Sequence, residues 1–338
     1  MKILAIESSC DETSCALVEN GALVLSEIVS SSADLHMKTG GVVPEVAARK
    51  QVESIVPVID ECLSKANISD PEKEIDCIAV TVGPGLIGSL LVGVEAAKTL
   101  ALSWGKPLIP VNHLIGHIYS NFVGNENQDE IIFPAIVLIV SGGHTDLVLM
   151  HDHGKFTFLG GTVDDAAGEA FDKVARMLGF SSYLGGAELS KSAASCTNNY
   201  LLGSLPRPMI DTQDYNFSFS GLKTAVKTLY AREKPEVSVL SCEFETAVVD
   251  VLVKKTMKAA VEYNVATVML GGGVSANRHL RQRMHFEAEA LGIKVFIPPI
   301  NLCGDTASYI ASAAFYNNSP KSLKDIVANP SLGIMDVV

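Results

Sequence analysis

The chain has no Cys-x-x-Cys pair, no apolar run long enough to span a membrane, no excess of positive charge and no Gly-x-x-x-x-Gly-Lys-Ser/Thr loop. Each absence excludes something. Seven cysteines, at 10, 15, 62, 77, 196, 242 and 303, are odd in number, so neither a disulfide framework nor a structural zinc site is expected. The apolar stretch that opens the chain is too short for a signal peptide. The longest apolar run, 131–140, contains Pro134 and falls short of the roughly 18 residues a span requires. A cytoplasmic protein with reduced thiols and no membrane association is the expectation. The missing phosphate-binding loop removes P-loop NTPases. Gly271-Gly272-Gly273 is not Gly-x-Gly-x-x-Gly, so a dinucleotide enzyme is poorly supported.

The net charge of −12 argues against binding nucleic acid by blanket electrostatics. Its distribution says more than its total. Residues 1–130 hold 18 acidic and 8 basic residues, a balance of −10, whereas residues 131–338 hold 20 and 18, a balance of −2. A polyanion would dock on the second half, or on basic partners recruited to the first. With 338 residues and 48% hydrophobic content, two packed lobes are expected.

The chain repeats its own grammar. Ile3 to Glu7 reads as a buried strand, Ser8 to Thr13 as a polar turn and Cys15 to Val18 as a returning strand, and Asn20-Gly21 turns into Ala22 to Val29. The same order returns in Ala135 to Val140, Ser141 to Thr145, Leu147 to Met150 and His153-Gly154. Likewise Cys77 to Val82, a glycine loop at Gly83–Gly88 and a helix from Ser89 to Leu102 match Ala266 to Leu270, Gly271–Gly273 and a helix around Ala276 to Leu291. A strand feeding a glycine loop and then a helix N-terminus offers backbone N–H groups to phosphate. The reading is a duplicated α/β fold of two lobes around a cleft, residues 1–130 and 131–338, with insertions at about 151–240. A further helix spans Pro44 to Lys65, with Ile55, Val58, Ile59 and Cys62 on one face.

His113 and His117 stand four apart after a strand ending near Val111, so a helix would place both imidazoles on one face, able to share a metal or simply lining the helix. A zinc protease of the His-Glu type would need Glu after the first His, and Leu114 stands there. Asp164 and Asp165 read as caps of the helix that follows them, whereas Asp172 lies further inside and suits sugar hydroxyls. Phe217 and Phe219 alternate with small polar residues, and either pack in the core or present rings to a base.

These segments together resemble the universal tRNA threonylcarbamoyltransferase family in its bacterial form, once labelled a glycoprotease. The resemblance runs through Glu7 to Thr13, Gly40 to Glu45, Gly83 to Leu86 with Gly88 to Leu90, His113-x-x-x-His117, Ser141 to Thr145, Asp164 to Val174, Asn216 to Val226 and Gly271 to Asn277. It implies the actin-like, sugar-kinase-like fold. It also implies transfer of a threonylcarbamoyl group from threonylcarbamoyl-AMP to the adenosine next to the tRNA anticodon.

By the same resemblance, His113, His117 and Asp305 hold one divalent metal, iron in preference to zinc. Ile139, Val140, Ser141, Gly142, Gly143, Asp172, Gly185, Glu188 and Asn277 bind the acyl-adenylate, with Asp172 and Glu188 on the ribose. Glu12 and Asp11 form an acidic pair at the reaction centre. The implied partners are tRNA, a smaller paralogue of the same fold docking on the first half, and a P-loop ATPase. The departures are Gln51 where the family pattern has His, Leu184 to Ala187 where it has Pro-Gly-Gly-Pro, and Gly304 and Thr306 flanking Asp305 where it has Thr and Asn. A nucleotide-switched binding module of the same fold is the competing function. Such a switch needs no two-histidine metal site.

Overall fold

The first strand, β1 (Lys2–Glu7), is buried on both faces from Ile3 onward, which fits the unbroken apolar run of its sequence. Antiparallel to it runs β2 (Glu12–Glu19), then β3 (Leu23–Ser31) antiparallel to β2, the two joined through Asn20 and Gly21, both at positive φ. Helices α1 (Ala33–Thr39), α2 (Pro44–Lys65) and α3 (Pro71–Glu74) follow. The chain then enters β4 (Cys77–Gly83), α4 (Ile87–Trp104), β5 (Leu108–Asn112) and α5 (His113–Tyr119). Both β4 and β5 join parallel, giving the sheet order β3-β2-β1-β4-β5. The structure, a computed structural model, describes residues 1–39, 41–124, 130–181 and 185–338. Gly40 and the departure at Leu184 lie outside the described residues.

The second sheet repeats the first. It comprises β6 (Ala135–Val140), β7 (Thr145–Asp152), β8 (Lys155–Gly161), β9 (Thr267–Gly271) and β10 (Lys294–Phe296), in the order β8-β7-β6-β9-β10. Again the first three strands are antiparallel and the last two join parallel. Between β8 and β9 lie α6 (Ala167–Met177), α7 (Gly185–Ala194), α8 (Ser220–Glu233) and α9 (Val237–Glu262). After β9 come a 3-10 turn at Gly273–Ala276 and α10 (Arg278–Ala290), and α11 (Ala307–Tyr316) follows β10. Identical order and direction in both sheets establish the duplication that the repeated hairpins and glycine loops implied.

Two units divide the chain, Met1–Glu130 with Ile300–Val338 and Ile131–Pro299. The second lobe therefore stops at residue 299, not at 338 as the sequence reading has it. The cause is burial: α11 packs on β1 and β2, and Ile326, Ala328 and Leu332 of the tail enter the first core beside Val82 and Leu108. Nothing local in those residues says which of two similar sheets they will cover. In the same core, α2 buries Ile55, Val58, Ile59 and Cys62 as the spacing predicts, and Pro44 opens the helix. Among the described residues one helix, α4, is long and apolar enough to cross a membrane; its Leu90, Val94, Ala97 and Ala101 are buried in this core.

Two readings are decided in the second unit. Phe217 and Phe219 are fully buried in its core, so they pack and present no ring to a base. Asp164 and Asp165 do not cap α6, whose N-cap Ala166 makes no side-chain capping bond. Asp164 reaches α8, accepting from the N–H groups of Phe219 (2.8 Å) and Ser220 (3.2 Å), and Asp165 pairs with Lys173 at 2.7 Å. The first N–H of α6, from Ala167, goes to Thr145 Oγ1 at 2.9 Å. The acidic cap exists, but it serves a helix some fifty residues away, as the separation of 55 to Phe219 shows.

Candidate functional site

In the first unit, β5 ends at Asn112, whose side-chain oxygen accepts from Leu114 N at 2.9 Å and so starts α5 at His113. One turn later comes His117, and the two imidazole centroids are 4.5 Å apart. Asp305 Oδ1 lies 3.6 Å from His113 Nε2 and 3.5 Å from His117 Nε2. All three ligand atoms fall within 4.8 Å of one another. Atoms bound tetrahedrally at about 2.1 Å from one ion would sit about 3.4 Å apart, so the cluster is near the right size for a metal. Gly116 makes this approach possible: a Cβ there would lie 2.7 Å from Ile310 Cδ1 and 2.8 Å from Tyr309 Cδ2. The packing of α11, which follows Asp305, against α5 thus depends on the glycine between the two histidines.

Behind the cluster stands Glu7, fully buried at the end of β1. Its Oε2 is 3.1 Å from His113 Nδ1 and accepts from Thr81 Oγ1, while Ser9 N donates to Oε1 at 2.5 Å. A carboxylate at Nδ1 holds a ring proton there, so Nε2, which faces Asp305, is the nitrogen left to ligate a metal, the arrangement a metal-ligating histidine needs. The donor set fits a divalent ion. Sequence reading missed Glu7 as a site residue. The available signal was a charge closing an otherwise apolar strand.

Burial and crowded charges set the electrostatics. Burial raises the Glu7 carboxyl, but the imidazole of His113 and the bonds from Ser9 and Thr81 outweigh it and leave Glu7 below the usual carboxylate range. Burial opposes the charged form of His113, yet Glu7 and Asp305 beside it push the imidazole up to about 9. Burial lifts Asp305 to about 6 against the pull of His113, and burial with Asp305 and Asp11 nearby lifts Glu12 to about 9. Too many carboxylates surround too little positive charge, and a cation relieves the imbalance. The departure at Gln51 is structural, since its Nε2 donates to the carbonyls of Cys10 (2.9 Å) and Glu12 (3.0 Å) and ties α2 to the loop carrying Asp11 and Glu12.

The second unit holds a pocket of about 410 Å³, lined by Gly142, Gly168, Asp172, Gly186, Gly273 and Asn277 among others. Here α6, α7 and α10 all begin, so three positive helix ends converge on it. Glycine permits the crowding. A Cβ on Gly168 would lie 2.5 Å from the Ser141 carbonyl, and one on Gly272, at φ +90, 2.5 Å from the Val140 carbonyl. Asp172 Oδ1 accepts from Gly186 N at 2.9 Å, and burial raises its carboxyl. Asn277 caps α10 through Leu280 N at 2.8 Å and donates to Glu245 at 2.6 Å and Ser190 at 3.1 Å.

Of the adenylate residues expected from the resemblance, the structure brings Gly142, Asp172 and Asn277 to the pocket wall. Ile139 and Val140 are fully buried strand residues beside it, and Ser141 and Gly143 belong to the adjoining turn. Gly185 opens α7 against Ala175, and its neighbours Gly186 and Ala187 form the wall instead. Glu188 is exposed and accepts from Ser181 N at 2.8 Å, away from the wall. Phe171, Ser190 and Arg278 line the pocket and were not expected. Their side chains converge only once α6, α7 and α10 are placed.

A family model described as tRNA N6-adenosine threonylcarbamoyltransferase (TsaD) matches residues 23–312. The chain belongs to the tRNA N6-adenosine threonylcarbamoyltransferase family. A relative bearing that name in Syntrophomonas wolfei is 48% identical over 336 residues, covering 98% of this chain and 97% of its own. One from Bacillus subtilis is 49% identical over 319 residues, covering 93% and 89%. The motif resemblance is thereby established along the threonylcarbamoyltransferase chain. Among solved structures, HypF of T. kodakarensis superposes with a TM-score of 0.65 at 14% identity, covering 94% of this chain and 47% of that one. A ROK family protein from Streptococcus pneumoniae gives 0.52 at 15%, covering 94% and 97%. At such identities the likeness concerns fold alone, and it agrees with the duplicated actin-like, sugar-kinase-like α/β topology of the two sheets.

Proposed function

We propose that this transferase moves the threonylcarbamoyl group from threonylcarbamoyl-AMP to the exocyclic amine of the adenosine next to the tRNA anticodon. The amine forms a bond to the carbamoyl carbon, the bond from that carbon to the phosphate oxygen breaks, AMP leaves with the electron pair, and the amine loses a proton. The observation that carries the reading is the His113, His117 and Asp305 cluster with Glu7 behind it. A divalent ion held there, iron in preference to zinc for a two-histidine, one-carboxylate set, supplies Lewis-acid charge to substrate oxygens. In the second unit, the Gly142–Gly143 turn beside the positive N-terminal end of α6 receives the adenylate phosphate, and Asp172 accepts from the ribose hydroxyls. Glu12, in its ionised form, takes the amine proton, with Asp11 beside it as the second member of the pair.

The partners follow from charge and surface. Counted by unit, the first carries 21 acidic and 10 basic residues and the second 17 and 16. A unit at −11 repels a tRNA backbone, so the chain alone is a poor tRNA binder. Gly88 lets α4 approach Ala48 of α2, and that helix pair exposes Val52, Val56, Ile87 and Leu91. This apolar surface supports docking of a smaller paralogue of the same fold on the first unit, and a P-loop ATPase completes the assembly, all in the cytoplasm. The test is to incubate the purified chain, with and without these partners, with tRNA and threonylcarbamoyl-AMP and to look for the modified nucleoside. Its absence with both partners present rejects the reading.

A further inference from the structure

Asp305 stands two residues before Ala307, the first helical residue of α11. The helix's own N-cap, Thr306, makes no capping bond, and its hydroxyl is turned to Ser308 Oγ at 3.2 Å. The first N–H groups of α11 go to distant strands instead. Ala307 N donates to Ser14 Oγ on β2 at 2.9 Å, and Ser308 N to Glu27 Oε1 on β3 at 3.0 Å, across 293 and 281 residues of chain. Glu27 pairs in register with Ala16, two residues along β2 from Ser14, so both acceptors lie on one face of the sheet. Glu27 also interacts with the hydroxyl groups of Ser308 and Thr306. A carboxylate at a helix N-terminus is favoured by the helix dipole as well as by the bond itself.

Asp305 has little else to hold it on its own side of the cluster. Gly304 before it has no atom within 4 Å of where a Cβ would stand, and the bond from Tyr309 Oη is long at 3.5 Å. Its carboxylate therefore takes its position from the first turn of α11. We infer that Glu27, assisted by Ser14, is a positioning residue for Asp305, a cap supplied across the sheet that keeps Oδ1 within reach of both imidazoles. The inference rests on the reading that the cluster holds a metal. It also gives a role to the departure at Thr306, where the local cap is idle.

Cobalt(II) is the probe, read by its dissociation constant and its visible d–d band on the folded full chain, with folding checked by circular dichroism. Glu27→Ala should weaken cobalt binding about tenfold, the lower range for loss of a group behind a metal ligand, and shift the band. Glu27→Gln keeps an acceptor for Ser308 N–H and should recover affinity to within about threefold of wild type. Ser14→Ala, which removes only a hydroxyl, should weaken binding about threefold, and it decides the matter if Glu27→Ala does not fold. His113→Ala serves as the control. If it loses cobalt while the folded Glu27 and Ser14 variants keep wild-type affinity and band, the positioning role is overturned and the metal reading stands. If His113→Ala binds cobalt as wild type does, the metal reading falls and the positioning role with it.

Discussion

The two units share one strand order but build their sites from different material. Where β1 gives way to the turn before β2, the first unit places Glu7, Ser9, Asp11 and Glu12, and its site is a knot of buried charged side chains around His113, His117 and Asp305. Where β6 gives way to the turn before β7, the second unit places Ser141, Gly142 and Gly143, and its pocket is made of glycine-rich backbone and helix starts, with Asp172, Asn277 and Arg278 among the few polar side chains on its wall. A duplicated scaffold thus offers one position for either chemistry. Charged side chains suit a cation, and the positive ends of helices suit a phosphate.

The comparison breaks if removing a ligand in one unit disturbs the other. His113→Ala should lose its metal equivalent and at least about a hundredfold in turnover, more than the 10- to 100-fold typical of groups behind a metal ligand. An AMP analogue should still bind it within about twofold by calorimetry. A parallel loss of nucleotide affinity would mean that the two sites are not separately built. Conversely, Asp172→Ala should weaken the adenylate by about 1.5–3 kcal/mol, and a 2′,3′-dideoxy analogue should bind wild type as weakly as the parent binds the variant. Glu188→Ala should change affinity by less than about twofold, because Glu188 faces Ser181 and not the pocket wall. Equal losses for Asp172 and Glu188 would restore the two-carboxylate ribose site.

Gly168→Ala sharpens the claim that the second site is a backbone device. Its new Cβ meets the Ser141 carbonyl at 2.5 Å, so the turn must shift, at a cost of about 1–3 kcal/mol in stability read by denaturant unfolding. Metal content should stay at wild type. An effect on stability alone concerns Asp146 on β7, whose carboxyl burial pushes up to about 6. Its folded value lies above the unfolded one near 3.9, so the cost of ionising it in place is absent below about pH 4, grows between pH 4 and 6, and is then constant. Asp146→Asn should therefore be about 1–2 kcal/mol more stable than wild type at pH 7–8 and indistinguishable at pH 3.5. A gain that persists at pH 3.5 would point to packing instead of charge.

What could be read without coordinates was whatever depends on near neighbours in the chain. Alternation and glycine punctuation located the strands and the duplication, four-residue spacing put His113 and His117 on one helical face, and the ordered motifs established the family. Only the tertiary structure decided partnerships between residues far apart in the chain. It assigned residues 300–338 to the first unit, gave Asp164 to α8 instead of α6, placed Glu7 behind His113, and capped α11 with Ser14 and Glu27. The physical reason is one of range. Helix and strand periods repeat every few residues and leave a local mark, whereas a buried N–H or carboxylate takes whichever partner packing brings within about 3 Å, and no local pattern records a partner 293 residues away.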